Sequence, residues 1–67
     1  MPHEALSARE FEVLRLLASG KTQAQIAEEL HLSVKTVATY RARILEKMNM
    51  KTSAQLIAYG IKQGLVA

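Results

Sequence analysis

The chain has no cysteine, no tryptophan and no aspartate among its 67 residues, and only 4% of them are aromatic. Without cysteine there is no disulfide and no thiolate metal site to reinforce the fold, which agrees with an expected cytoplasmic location. The two histidines, His3 and His31, are too few and too far apart to suggest a metal centre. No close pairing of a histidine with a nucleophile marks a catalytic site, so neither enzymatic activity nor a cofactor is expected. The shortage of aromatics counts against single-strand binding and RNA-recognition sheets, which stack bases on aromatic rings. No apolar run approaches the ~20 residues of a membrane span. The start, Met1-Pro2-His3-Glu4, lacks the charged and apolar regions of a signal peptide, and no membrane association is expected. Strand-like alternation, internal repeats and low-complexity stretches are also missing.

What is present is enough for one small domain. A chain near this length hides only ~60% of its unfolded surface, so its core is marginal. The formal net charge of +3 is unevenly spread. Residues 1–32 carry three cations against five glutamates, whereas residues 33–67 carry six cations against Glu46 alone. A basic half of this kind suits a polyanion, because lysine and arginine displace counterions from phosphates.

Four helices can be read from their start and stop signals. Ser7 caps the first, and Glu10 three residues later closes a capping box, with Leu6 and Phe11 as a hydrophobic staple. Phe11, Leu14, Leu17 and Ala18 recur at helical spacing, and Gly20 is the left-handed stop. Thr22 with Gln25 opens a second helix of about eight residues, whose apolar face is Ile26, Ala27 and Leu30. His31 and Leu32 form a turn, with Leu32 pointing inward. Ser33 caps a longer third helix from Val34 to about Met48, lined on one side by Val37, Tyr40, Ile44 and Met48, with Asn49 as its stop. Thr52 with Gln55 opens a fourth helix, for which Ala54, Ile57, Ala58 and Ile61 are the expected inward stripe and Gly64 the end. Gly60 inside it costs ~1 kcal/mol against alanine, and close packing against a neighbour would explain it. The expected architecture is all-α, a compact four-helix domain over residues 6–66. Residues 1–5 read as a linker or simply the chain start.

A short helix joined by a three- or four-residue turn to a longer helix with a polar outer face is the pattern of a helix-turn-helix, whose second helix enters the DNA major groove. Opposite the Val37–Ile44–Met48 stripe lie Lys35, Ala38, Thr39 and Ala42. Small side chains let the helix axis approach base edges. Lys35 can donate to guanine, and Thr39 can hydrogen-bond or touch a thymine methyl. Arg41, Arg43 and Lys47 flank this face, towards the phosphate walls. Lys21 and Thr22 stand at the start of the second helix, and Thr36 at the start of the third, where free amides and the helix dipole favour a phosphate. Tyr40 would place its ring on the core and its hydroxyl towards a phosphate.

Several runs occur together and in order: Leu6-Ser7 with Arg9-Glu10 and Glu12-Val13-Leu14, Gly20-Lys21-Thr22 with Gln25-Ile26-Ala27, Leu32 to Val37, and Tyr40-Arg41 with Arg43-Ile44-Leu45 and Lys47-Met48. In these the chain resembles the LuxR-type helix-turn-helix, which includes the output domains of NarL/FixJ-type response regulators. The resemblance covers about residues 6–66. It implies base reading near Lys35, Ala38, Thr39 and Ala42, and phosphate contacts near Lys21, Thr22, Thr36, Tyr40 and Arg43, to which the flanking position of Lys47 adds a sixth. It also implies a homodimer on the fourth helix, exposing Gln55, Tyr59 and Lys62. Positions 38 and 42, often polar or basic in relatives, are alanines here, and position 40, often histidine, is tyrosine.

The resemblance therefore implies sequence-specific binding of double-stranded DNA in transcription regulation. With no aspartate, the chain lacks the phosphoacceptor of a receiver domain. It would be the output half of a two-component regulator, partnered by an N-terminal receiver or sensor domain, or else a free-standing small regulator. A helical protein-interaction module is the rival from another class. A domain that lies against RNA polymerase while touching DNA is a third reading.

Overall fold

The computed structural model describes residues 2–66. Four α-helices follow a short 3-10 turn at Pro2–Ala5: α1 (Ala8–Ala18), α2 (Gln23–Leu30), α3 (Val34–Lys47) and α4 (Ser53–Lys62). No strand occurs among the described residues.

Each helix begins on a side-chain cap. The Oγ of Ser7 accepts from the Glu10 amide while the Glu10 carboxylate accepts from the Ser7 amide, and the pairs Thr22–Gln25 and Thr52–Gln55 do the same. Ser33 accepts from the Thr36 amide, without the reciprocal half. These bonds satisfy amides that the first helical turn leaves without partners.

The four ends also share one closure. Gly20, His31, Asn49 and Gly64 all have positive φ. The amide of the next residue then reaches back to a carbonyl five residues earlier: Lys21 to Leu16 (3.2 Å), and Leu32 to Ala27, Met50 to Leu45 and Leu65 to Gly60 (each 2.8 Å). This is the Schellman geometry. It folds Leu32, Met50 and Leu65 back onto the core.

The core is built from Val13, Leu14, Leu16 and Leu17 of α1, Ile26 and Ala27 of α2, Val37, Ile44 and Leu45 of α3, Met48 after it, and Leu56 of α4. Helix α1 is the shared wall, packing on α4 most extensively and also on α3 and α2. Helices α2 and α3 pack on each other as a hairpin. Phe11, Leu30, Tyr40 and Leu6 pack at the rim of this core, half-buried.

Helix α4 departs from the expected pattern. Its buried residues are Leu56 and Gly60, with half-buried Tyr59 packed beside them. The expected inward stripe faces outward instead: Ala54, Ala58 and Ile61 are exposed, Ile61 to 61%, and Ile57 is half-buried. The reason is Gly60. A Cβ built there would overlap the methyl of Ala18, so the two helix backbones cross at a contact only glycine permits. An inward position occupied by glycine leaves no apolar side chain to mark the inner face, and the more conspicuous alanine–isoleucine stripe lies on the other side.

Tyr59 is consequently not the exposed residue that the resemblance implied. Its hydroxyl hydrogen-bonds His3 Nδ1 at 2.6 Å, and the His3 ring lies 5.7 Å from Phe11 and 5.8 Å from Tyr59, tilted against both. The stretch expected as linker thus forms a 3-10 turn that rests on α1 and α4, apart from Met1, which lies outside the described residues.

Candidate nucleic-acid interface

The buried side of α3 fixes its outer side. Val37, Ile44 and Leu45 are buried, which leaves Lys35, Thr39 and Ala42 exposed and Ala38 half-buried on the outward surface. The four residues expected to read bases therefore share one face of one helix. They differ in what they offer. Lys35 is exposed and has no carboxylate partner among the described residues. Thr39 donates its hydroxyl to the Lys35 carbonyl at 3.1 Å, a back-bond within the helix that occupies its only donor. The alanines offer methyl groups alone.

The residues expected at phosphates fall into four groups. Arg43 is exposed and, among the described residues, engages no carboxylate. Thr36 and Tyr40 are half-buried on α3. The Thr36 hydroxyl accepts from the Ser33 hydroxyl at 2.9 Å, which ties it to the helix cap. The ring of Tyr40 packs on the core, as expected. Thr22 caps α2, and its neighbour Lys21 is bonded to Glu29 at 2.6 Å.

Lys47, expected at a phosphate, is engaged by a carboxylate within the fold. Its ammonium donates to Glu10 Oε1 at 2.8 Å. Glu10 is only 3% exposed and also accepts from the Ser7 amide at 2.8 Å. The Lys47 hydrogen bond, followed by that amide, holds the Glu10 carboxyl below its ordinary range, against the opposing effect of burial. A buried carboxylate needs such partners, so the Lys47 charge serves to lock the end of α3 to the start of α1.

Arg41, flanking the same face, is half-buried, and its Nε donates to Ser53 Oγ at 2.6 Å. This bond joins α3 to the first turn of α4. Sequence reasoning did not foresee it, because a serine twelve residues away gives no local signal.

An open recess of about 590 Å3 beside α2 is lined by Lys21, Gln25, Glu28, Glu29 and His31. Its two glutamates make it a poor seat for phosphate. No group of three or more metal-ligating side chains occurs among the described residues, and no described helix is long and apolar enough to cross a membrane.

Comparison with known proteins identifies a family for the chain. A family model described as bacterial regulatory proteins of the luxR family matches residues 4–59. The chain is 42% identical over 66 residues to the transcriptional regulatory protein LiaR of Bacillus subtilis (strain 168), covering 98% of this chain and 31% of that protein. It is 42% identical over 65 residues to the oxygen regulatory protein NreC of Staphylococcus carnosus (strain TM300), covering 97% of this chain and 30% of that protein. The NreC of Staphylococcus aureus (strain JH9) is 40% identical over 65 residues. The chain spans about a third of the length of these curated relatives.

Proposed function

This chain belongs to the luxR family of bacterial regulatory proteins, and from that membership we propose that it recognises specific sequences in double-stranded DNA as the output domain of a two-component response regulator, acting as a dimer. The observation that carries the proposal is the outer face of α3, where Lys35, Thr39 and Ala42 stand exposed beside Ala38 while the opposite side is buried in the core. A helix so anchored presents its first turns to base edges in the major groove. Lys35 then serves as the direct donor, and Thr39 as an acceptor. Arg43, Tyr40, Thr36, Thr22 and Lys21 hold the sugar–phosphate walls and set the register of the helix. For Lys21 this requires exchanging Glu29 for a phosphate.

Dimerisation is assigned to α4, with a basis that the fold sharpens. The outward stripe of Ala54, Ile57, Ala58 and Ile61 supplies an apolar strip, and exposed Gln55 and Lys62 lie on the same helix. Burying Ile61 in a symmetric pair removes it from water. Ile61→Asp is expected to abolish dimers in sedimentation experiments without lowering the melting temperature. The phosphoacceptor is assigned to a receiver domain outside this sequence, and RNA polymerase is the machine on which a bound dimer acts.

Titration with duplex DNA at several salt concentrations tests the proposal. The affinity should fall steeply with salt, as contacted phosphates release counterions, and one duplex should be preferred over scrambled sequence. An affinity indifferent to salt, or no binding at low salt, refutes it.

A further inference from the structure

Three large apolar side chains are exposed among the described residues: Ile61, Val66 and Val34. The first two lie on or just beyond α4. Val34 is the first residue of α3 and is 50% exposed. It precedes Ala38 by four residues and Ala42 by eight, so the three side chains run along adjoining turns. Beside them Thr39 has its donor committed to the Lys35 carbonyl. Apart from Lys35, the side chains on this face therefore bring no free donor, and those at positions 34, 38 and 42 bring carbon alone.

In the major groove one base carries an apolar group at its edge. Thymine presents its C5 methyl, and apolar side chains recognise it by contact. We propose that Val34 is a specificity-determining residue and that, with the methyl groups of Ala38 and Ala42, it reads thymine methyls in the preferred DNA site. The proposal rests on the duplex-reading role of α3 given above. It accounts for an exposed valine at a helix position that packing does not require. It also assigns the alanines a positive role: they place the valine and the helix backbone close enough to the groove floor for methyl contact.

The experiment begins with selection of preferred duplexes from a random pool using this chain. Each thymine of the selected half-site is then replaced singly by deoxyuridine, which removes the methyl and keeps the base-pairing and acceptor pattern. Burial of one methyl corresponds to about a fourfold change in affinity, and a loss of that size is expected at one or two positions. Val34→Ala should bind the thymine and uracil duplexes equally at one of these positions while retaining the wild-type salt dependence. Uracil tolerated at every position, selected sites without thymine, or an unchanged methyl penalty in Val34→Ala would each overturn the proposal while leaving duplex binding intact. A pool from which no duplex is enriched overturns the duplex-reading role itself.

Discussion

Replacing Gly60 by alanine sets two effects of opposite sign against each other. In an unencumbered helix the change is favourable by ~1 kcal/mol, because glycine has the greater backbone entropy to lose. Here the new Cβ would overlap the Cβ of Ala18. Both atoms are fixed to helical backbones and neither can swing aside, so α1 and α4 must separate along the most extensive helix contact in the domain. Overpacking of this kind costs ~1–3 kcal/mol, and parting the helices adds lost dispersion along the seam. The net expectation is a loss of about 1–2 kcal/mol, which lowers the melting temperature by roughly 4–15 °C in a domain of this size. Circular dichroism melts and urea titrations read the change directly. The double variant Ala18→Gly/Gly60→Ala is the internal control: with the opposing methyl removed, it should be more stable than the sum of the two single changes predicts, by about 1 kcal/mol or more. A Gly60→Ala protein that melts higher than wild type, or a cycle with no coupling, would show that the helices do not meet at this point.

Other perturbations probe the remaining contacts. The Glu10 carboxyl has a lowered pKa in the fold, so its contribution is fully present above the ordinary carboxylate range and is lost as pH falls through that range to the lowered value. Lys47→Ala should remove about 1 kcal/mol at neutral pH, since the lysine is itself partly in water, and should flatten the acid limb of the stability curve; an unaltered acid limb would refute the pairing. Val37→Asp buries an unpaired charge at a fully enclosed site and should leave the domain unfolded by circular dichroism. Arg43→Ala should weaken binding to all duplexes alike and reduce the salt slope by about one. A change in sequence preference instead would move Arg43 from the phosphates to the bases.

The features legible in the sequence are those written over three to five neighbouring residues. The Ser7–Glu10, Thr22–Gln25 and Thr52–Gln55 boxes, the cap at Ser33 and the left-handed stops at Gly20, Asn49 and Gly64 all belong to this class. The outward face of α3 was legible at one remove, since the large apolar residues Val37, Ile44 and Met48 identify the side it is not. Helix α4 defeated the same reasoning because both of its sides are apolar and the true inner one contains a glycine. Long-range pairings were invisible for a plainer reason: nothing near Lys47 announces a carboxylate thirty-seven residues earlier, and nothing near Arg41 singles out Ser53. A cation on a DNA-facing helix reads as a phosphate ligand until its internal partner is seen.

That last point bears on how tightly the domain holds DNA of the wrong sequence. Lys21 is bound to Glu29 and Lys47 to Glu10, so part of the basic charge is neutralised before any nucleic acid arrives. A cation already paired with a carboxylate releases fewer counterions on meeting a phosphate, and indiscriminate attraction to the duplex weakens accordingly. On the proposed reading of α3, such restraint would shorten each stop at a wrong site and leave the decision to the side chains proposed to read base edges.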